Sequence, residues 1–270
     1  MKQQLIDLWH AVFGDKPAYT DLFFNMLYRP EGTLIKTENG RVVSALYLVD
    51  APLVTQVGAE PSLYLCAAAT APEYRGRGYM AELIGQAKDF ARSRAIPSIS
   101  LIPAETSLFS YYERFGFRPF FYRKQHVFRA EEGGEGYSFL RAETEELFQL
   151  ENGVLRQHPG SALKTRAFFA FLQREAALLG GGVLKIVRRG QVRGYLVWLP
   201  ERDGLYIKEL MCPAGEQMLV AGAFARARGF SEVTAFGPAS TGGGPRGMLW
   251  RADGFKVPGG NRPYIGCMLD

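Results

Sequence analysis

The residues best suited to chemistry lie in the stretch AAATAPEYRGRGYMAEL, where an apolar strand leads through a short connection into an amphipathic helix. Gly76 and Gly78 let a ligand approach the backbone closely, and the first amides of a helix have no intrahelical acceptor and lie at the positive end of its dipole. Arg75 and Arg77 add positive charge. The pattern predicts an anion-binding site, and a glycine-containing turn with solvated arginines is the alternative.

Three phosphate-binding motifs can be compared with this loop. A Walker loop ends in GK[ST], which is absent here. A dinucleotide fingerprint fits better, because Gly76, Gly78 and Ala81 satisfy GxGxxA and Glu105 follows about two dozen residues later. However, five residues separate the strand from the first glycine, and a hairpin precedes the strand. The loop therefore fits the dinucleotide fingerprint only in part, and a third type of phosphate-binding motif fits it better.

Strands and helices alternate around this loop. Two amphipathic helices open the chain over residues 1–28, and Asn39-Gly40 between two apolar runs predicts a two-residue hairpin turn. SLYLCAAAT predicts a further strand, SISLI a short strand, LFSYYERF a short helix that ends before Gly116, and RPFFYRKQHVFR two closing strands. This alternation indicates an α/β layer fold, and the hairpin requires a mixed sheet.

Much of this order recurs after the acidic, glycine-rich segment EEGGEG. VLKIVRRGQVRGYLVWL matches the hairpin, with Gly190 in the place of Gly40, and LYIKELMCP matches LYLCAAATAP. QMLVAGAFARARGF matches the helix, VTAFGPA matches SISLIPA, and LWRADGFKVP matches YYERFGFRP. We predict an α/β (α+β mixed-sheet) protein with domains at 1–130 and 137–270 and a linker at 131–136, each domain having a mixed central sheet flanked by helices. Two unrelated halves are the alternative.

SLYLCAAATAPEYRGRGYMAELI followed by SLFSYYERFGF resembles the GNAT superfamily of acyl-CoA-dependent N-acyltransferases. The first motif of that family is [RQ]xxGx[GA] after a strand and a proline, and its second contains Tyr and then Gly-Phe. The sequence departs from the pattern at Met80, where the family usually has Gly or Ala. The tandem arrangement and Met80 are similar to the enhanced intracellular survival acetyltransferases, whose sterol-carrier-like third domain has no counterpart in this sequence.

The resemblance implies roles for individual residues. The backbone of Ala68, Ala69 and Thr70 would pair with the pantetheine amides of acetyl-CoA, and Ser107 would contact the pantetheine arm. Tyr112 would protonate the departing thiolate, whereas the alternative is a core tyrosine packed among phenylalanines. The pyrophosphate would bind at Arg75, Gly76, Arg77, Gly78, Tyr79, Met80 and Ala81.

No general base follows from the sequence. The strand before the loop lacks the glutamate that the family often uses, and Glu60, Glu105 and Asp270 are weak candidates. The second copy has CPAGEQ in place of APEYRGRG and Trp250 in the place of Tyr112. It is therefore interpreted as a scaffold that walls the acceptor pocket or makes a subunit contact.

The composition narrows the class of protein. The 270 residues are 47% hydrophobic and 22% charged, which is typical of a folded globular chain. The net charge is +5, but the sequence has no run of five basic residues, so we expect no nucleic-acid partner. No apolar stretch reaches the ~18 residues of a membrane span and the N-terminus lacks signal-peptide features, so we expect a cytoplasmic protein without a membrane partner. Cys66, Cys212 and Cys267 show no ligand spacing, which predicts inert thiols and no metal.

The leading hypothesis is an acetyltransferase that moves acetyl from acetyl-CoA to a small-molecule or peptide primary amine by direct attack in a ternary complex. A non-catalytic acyl-CoA-binding or regulatory module is the alternative, and a nucleotide-dependent oxidoreductase is a weaker one. A homodimer is compatible with both the acetyltransferase and the non-catalytic module. The acceptor does not follow from the sequence, because the fold does not determine the substrate.

Overall fold

The computed structural model describes residues 1–202, 204–238, 242–254, 262–266 and 268–269, in which helices cover both faces of a large mixed sheet. The helices are α1 (Lys2–Phe13), α2 (Pro17–Met26), α3 (Tyr79–Ser93), α4 (Leu108–Glu113), α5 (Thr144–Leu155), α6 (Arg166–Leu178) and α7 (Gln217–Ala227). The strands are β1 (Thr33–Glu38), β2 (Arg41–Asp50), β3 (Leu53–Thr55), β4 (Gly58–Glu60), β5 (Leu63–Thr70), β6 (Ser98–Leu101), β7 (Arg118–Arg129), β8 (Tyr137–Arg141), β9 (Gly182–Arg188), β10 (Gln191–Glu201), β11 (Gly204–Met211), β12 (Glu232–Gly237) and β13 (Gly244–Arg251).

The two predicted hairpins have the same turn geometry. Asn39 and Gly40 join β1 to β2 with φ values of 48° and 75°, and Arg189 and Gly190 join β9 to β10 with 50° and 75°. Positive φ at both central residues is the conformation of a type I′ turn, whose twist matches that of the strands it joins. The hairpin prediction is therefore confirmed in both halves.

Apolar side chains alternate between the two faces of the sheet. On one face, Tyr47 of β2 packs against α1 and α2, and α6 joins the same cluster through Phe168 and Phe171. On the other face, Leu46 and Leu48 of β2 pack against α3 and α4. In the second half, α7 covers β10, β11 and β12 in the way that α3 covers the first half. Because α6 contacts α2, the two halves share one core on the α1–α2 face.

Each half contains a hairpin, a strand, a helix and a parallel strand, in the predicted order. The 11-stranded sheet has the order β1-β2-β5-β6-β13-β7-β12-β11-β10-β9-β8. Strands β5 and β6 are parallel in the first half, as β11 and β12 are in the second. Each half therefore contributes a mixed sheet, and the two sheets are joined at the centre.

The two halves exchange strands at that junction. β13 lies between β6 and β7 and is antiparallel to both, with Trp250 opposite Ile99. β7 leaves the first half and pairs with β12 of the second, with His126 opposite Ala235. Trp250 and Met248 consequently belong to the apolar core that α3 and α4 cover. Each half is completed by a strand from the other.

Two local predictions are wrong because of this exchange. RPFFYRKQHVFR is one strand of 12 residues, since its first half pairs with β13 and its second half with β12. The match of LWRADGFKVP to the helical segment YYERFGFRP also fails, because Leu249, Trp250 and Arg251 belong to β13. Trp250 is therefore not a structural counterpart of Tyr112. Strand pairing with a distant partner overrides the local similarity.

The segment predicted as a linker is held against the second half. The guanidinium of Arg226 in α7 donates hydrogen bonds to the carbonyls of Ala130, Gly133 and Gly134 at 3.0 to 3.3 Å. A Cβ on Gly133 would lie 2.3 Å from the backbone nitrogen of Ala223, so only glycine fits there. This segment follows β7 directly, and it therefore fixes the point where the chain enters the second half.

Candidate active site

Strands β5 and β6 diverge where the site begins. They pair from Leu63–Ile99 to Leu65–Leu101, after which β6 ends and β5 continues to Thr70. β2 pairs with the other edge of β5 as far as Thr70, with a register shift opposite Ala67, whose φ is 46°. Among the described strands, none pairs with the β6-side edge of β5 beyond Leu65. An extended ligand can therefore hydrogen-bond to this part of the backbone.

The predicted anion loop follows directly. After a 3-10 turn at Pro72–Tyr74, Gly76 and Gly78 adopt φ values of 76° and 80°, and α3 begins at Tyr79. The amide of Glu82 donates to the Gly78 carbonyl at 3.0 Å, and the amides before it, back to Tyr79, lie ahead of this first helical bond. A Cβ on either glycine would meet no atom within 4 Å, so the backbone is open on this side.

The arginines of this loop are exposed and held along it. Arg75 donates from Nε to the Thr70 carbonyl at 3.2 Å, and Arg77 donates to the Glu73 carbonyl at 3.3 Å. The Arg77 guanidinium also lies 4.9 Å from the centre of the Tyr74 ring. No carboxylate within the described ranges forms a salt bridge with either arginine. Both charges thus remain uncompensated beside the start of α3.

The other residues predicted for this loop lie around it. The Tyr79 hydroxyl donates to the Glu38 carboxylate, and Met80 packs against the apolar core beneath α3. The Ser44 hydroxyl donates to the Ala69 carbonyl at 2.9 Å and lies 2.8 Å from the Thr70 hydroxyl. The chain from Ala68 to Ala81 therefore runs without interruption from β5 through the loop into α3.

The divergent strands open into a cavity of about 740 Å³. From the first half it is lined by Cys66, Ala67 and Ala68 of β5, by Tyr112 of α4, and by the loop between α1 and α2. The second half contributes residues of α6, β10 and β11. The volume is in the usual range for a small-molecule site. The chamber therefore lies between the two halves, and neither half encloses it alone.

Tyr112 is a buried phenol on the wall of this cavity. Its ring packs edge-on against Phe117 at 6.0 Å and against Tyr111 at 5.3 Å, and 8% of its surface is exposed. Burial raises the pKa of Tyr112 to about 12. The phenol therefore keeps its proton at neutral pH, as a proton donor must. Tyr112 is both a core aromatic and a cavity residue, so the two interpretations of the sequence are compatible.

Two buried charged residues, Glu175 and Lys208, and the partly buried Tyr19 meet in the same cavity, and the sequence predicted a site role for none of them. Glu175 of α6 is 3% exposed, its carboxylate lies 4.0 Å from Nζ of Lys208 in β11, and the Tyr19 hydroxyl interacts favourably with it. Burial raises the pKa of Glu175, while Lys208 and the Tyr19 hydroxyl oppose that rise. The sequence did contain a signal for Glu175, because this carboxylate lies on the apolar stripe of α6, seven residues after Phe168.

The carboxylates proposed from the sequence lie elsewhere. Glu60 pairs with Arg251 of β13, and Glu105 accepts a hydrogen bond from the Ser107 hydroxyl at 3.2 Å on the exposed approach to α4. Glu60, Glu105 and Ser107 are not among the residues that line the cavity. Asp270 lies outside the described residues, as does Cys267, although Leu269 lines the cavity.

Cys66 is the cysteine on the cavity wall, and Cys212 is buried in the second half. Burial raises the pKa of both thiols. A thiol is nucleophilic only as the thiolate. Cys66 therefore remains protonated at neutral pH, which makes it a poor candidate for a covalent acyl intermediate.

The corresponding place in the second half has the opposite charge. β11 and β12 also form a short parallel pairing, and a cavity of about 600 Å³ lies nearby. At the start of α7, however, stands the Glu216 carboxylate, bound by the Arg193 guanidinium and by the Tyr137 hydroxyl at 3.0 Å. Arg193 lowers the pKa of Glu216. A fixed carboxylate at this helix end repels a phosphate.

A comparison of sequences identifies the family that the N-terminal half resembles. Residues 2–120 match the family model described as an acetyltransferase (GNAT) domain. Residues 2–120 are thus similar to a GNAT acetyltransferase domain. This agrees with the resemblance found in the sequence motifs, and the matched range includes β5, the loop and α4. No curated protein matches the chain significantly in sequence.

Solved structures extend the similarity of fold to both halves. A conserved protein of Enterococcus faecalis V583, described as a probable N-acyltransferase, superposes with a TM-score of 0.75 at 12% identity, over 92% of this chain and 69% of that one. Eis1 of Mycobacterium abscessus superposes with a TM-score of 0.72 at 13% identity, over 93% of this chain and 71% of Eis1. A GCN5-related N-acetyltransferase of Anabaena variabilis ATCC 29413 superposes with a TM-score of 0.75 at 17% identity, over 92% of this chain and 69% of that one. The predicted tandem fold class is confirmed.

Within the ranges that the structure covers, no group of three or more His, Cys, Asp or Glu side chains is placed to hold a metal ion. Among these same residues, no helix has the length and apolar character needed to cross a membrane.

Proposed function

We propose that this protein transfers the acetyl group of acetyl-CoA to a primary amine by direct attack within a ternary complex. The observation that carries the proposal is the β6-side edge of β5 beyond Leu65, with which no described strand pairs. Along the chain it leads to the open N-terminus of α3, and at Cys66 to Ala68 it lines a cavity that Tyr112 also lines. An extended arm, an anionic group and a reacting centre can be bound there in sequence. The similarity of residues 2–120 to a GNAT domain supports this arrangement.

Acetyl-CoA would bind along the surface from strand to helix. The backbone of Ala68, Ala69 and Thr70 would pair with the pantetheine amides, and Ser107 would approach the arm from the start of α4. The amides from Gly76 to Ala81 would bind the pyrophosphate, because they face outward at the positive end of the α3 dipole. Arg75 and Arg77 would contribute charge-assisted hydrogen bonds. Tyr79 and Met80 would contribute through their backbone amides.

The chemistry needs a proton donor and a bound, correctly oriented amine. Tyr112 would donate its phenolic proton to the sulfur as the carbon–sulfur bond breaks. The cavity would hold the amine beside the thioester, which lowers the barrier by removing the entropic cost of bringing the reactants together. Direct transfer agrees with the raised pKa of Cys66, which keeps that thiol protonated. The acceptor would be a small molecule or the amine of a peptide, and the reaction would take place in the cytoplasm.

Ligand binding separates this proposal from its alternatives. A ligand that binds only the folded state stabilises it by RT ln(1 + [L]/Kd), which is about 2.7 kcal/mol at one hundred times Kd. We expect a rise in melting temperature with acetyl-CoA and none with NAD or ATP at equal concentration. Stabilisation by NAD alone would favour the oxidoreductase. Acetyl-CoA binding without acetylation of any amine would favour the non-catalytic module.

The loop is tested by the double variant Arg75→Ala/Arg77→Ala. Both side chains are exposed and interact within their own loop, Arg75 with the Thr70 carbonyl and Arg77 with the Glu73 carbonyl, Tyr74 and Tyr79. We therefore expect weaker acetyl-CoA binding with little change in stability. The control is Arg141→Ala/Arg156→Ala, which removes the same charge from exposed positions in the second half. Isothermal calorimetry measures both. Equal affinity for acetyl-CoA in the two double variants would contradict the assignment of the arginines.

A further inference from the structure

We propose that Glu175 binds the ammonium group of the acceptor and accepts its proton, and that the acceptor is a primary amine with a single charge and an apolar body. The inference rests on the proposed function and adds to it a substrate class and an acceptor-side catalytic residue. Glu175 belongs to α6 of the second half, whereas Tyr112 belongs to α4 of the first. The two halves would thus supply the two ends of the proton path.

The position of Glu175 supports this role. Its side chain is almost fully buried yet lines the cavity that Tyr112 also lines. A buried carboxylate costs free energy unless it is paired. The Tyr19 hydroxyl and the Lys208 ammonium act on this carboxylate, but Nζ of Lys208 at 4.0 Å is beyond hydrogen-bond distance. A substrate ammonium has room to complete the hydrogen bonding of this carboxylate.

The other charged groups of the cavity are balanced. Of the described residues that line it, Asp15 and Glu175 are acidic and Lys16 and Lys208 are basic. Oδ2 of Asp15 accepts a hydrogen bond from the indole of Trp9 at 2.8 Å. A cavity without excess negative charge favours one ammonium group over a polycation. Glu175 is the acidic residue of this set that lies deepest.

The remainder of the wall and the entrance are apolar. Leucine and aromatic side chains from both halves form most of the lining. Phe13, Leu178 and Leu179 line the cavity and are each more than 40% exposed, so apolar surface reaches the solvent there. Exposed apolar surface that is continuous with a cavity is typical of a binding site for an apolar ligand. An aryl-alkyl or alkyl amine matches both the wall and the buried carboxylate.

The proton steps balance. Glu175 accepts one proton from the ammonium, and the freed electron pair of nitrogen forms the bond to the acetyl carbon. The carbon–sulfur bond breaks, and sulfur receives the phenolic proton of Tyr112. The second proton leaves nitrogen and restores the phenol, while Glu175 releases its proton to solvent. The products are the amide, the free thiol of coenzyme A and one proton.

The groups that act on Glu175 are Tyr19 from α2 and Lys208 from β11, and Asp15, Cys66 and Tyr112 also line the cavity. Glu175 must be ionised to bind the ammonium and accept its proton. Since burial raises the pKa of Glu175, kcat/KM falls on acidification at a pH above the ordinary range of glutamate. Tyr19→Phe removes a hydroxyl that lowers this pKa, so it moves the acidic limb to higher pH.

The experiment uses the full chain with 2-phenylethylamine and, as a polycation, spermidine. Glu175→Gln is expected to lower kcat/KM for 2-phenylethylamine on the order of 10²-fold, to abolish the acidic limb and to leave the Kd for acetyl-CoA unchanged. Glu175→Asp is expected to recover part of the activity. The control Glu145→Gln changes an exposed carboxylate of the same half, which pairs with Arg166, and keeps the wild-type kinetics. Melting temperatures of all variants verify their folding.

Several outcomes would overturn the inference while leaving the proposed function intact. The first such outcome is a pH profile of kcat/KM that is unchanged in Glu175→Gln. The second is an unchanged pH profile in Tyr19→Phe, and this result does not depend on whether Glu175→Gln folds. Preference for spermidine overturns the apolar class. Failure of 2-phenylethylamine to bind or react with a protein that binds acetyl-CoA overturns it as well. If the wild-type protein does not bind acetyl-CoA, the proposed function itself fails.

Discussion

Separating the halves between residues 136 and 137 is expected to unfold the first one, although every proposed acetyl-CoA contact lies within residues 1–136. The reason is the strand exchange. The cut removes β13, which lies between β6 and β7 and supplies Met248, Leu249 and Trp250 to the interior. Both neighbouring strands would then present unpaired backbone edges to solvent.

The size of the loss follows from the burial of these three side chains. Met248 and Leu249 are fully buried and Trp250 is 6% exposed. At about 1.5–3 kcal/mol for each large apolar side chain, their removal costs on the order of 5–9 kcal/mol. The total stability of a domain is roughly 5–15 kcal/mol, so the loss is of the same size as the whole. The surface that packs against α6 would be exposed in addition.

The assay compares residues 1–136 expressed alone with the same fragment co-expressed with residues 137–270. Alone, the fragment is expected to be insoluble or to lack a cooperative thermal transition. Co-expression is expected to give a soluble complex that binds acetyl-CoA, because β13 then returns to its place. If residues 1–136 alone fold cooperatively and bind acetyl-CoA with the affinity of the full chain, the energetic role assigned to β13 is incorrect.

Three smaller changes test the remaining parts of the structure. Met248→Ala should lower the free energy of unfolding by about 2–5 kcal/mol in denaturant titrations, whereas Met218→Ala, at an exposed position of α7, should change it by under ~0.5 kcal/mol; equal effects would contradict the position of β13. Tyr112→Phe should lower kcat on the order of 10²-fold with the Kd for acetyl-CoA unchanged, and wild-type turnover would exclude the phenol as the acid. Because Glu216 repels phosphate at the start of α7, calorimetry should give one acetyl-CoA per chain; two equivalents would show a second site.

Local features of this fold were predictable from the sequence. Asn39-Gly40 indicated the first hairpin because few other residue pairs adopt positive φ at both turn positions. The glycines before α3 indicated the turn with positive φ at the start of that helix, because only local geometry is needed there, and the binding of an anion by this loop stays a prediction. The second hairpin was found by its match to the first. Each of these depends on residues that are close together in the chain.

The rest depended on contacts between distant segments. The pairing of Trp250 with Ile99 has no local signature, since a strand sequence does not specify its neighbour. Glu175 lies on an apolar helical stripe. It meets Tyr19 because α6 packs against α2 of the first half, and it meets Lys208 because α6 lies near β11 in the folded second half. Roles of the individual acetyl-CoA contacts and of Tyr112 stay predictions until the experiments above are done.

The strand exchange also bears on how the chain is made. β6 and β7 are synthesised long before β13, and the stretch between Arg129 and Arg251 takes on the order of ten seconds at roughly 5–20 residues per second. During that interval the nascent first half has the gap between β6 and β7 unfilled. Hydrophobic strand edges exposed on a ribosome are substrates for chaperones and sites of aggregation. Slower translation of residues 130–243 should therefore lower the soluble yield without changing the finished molecule.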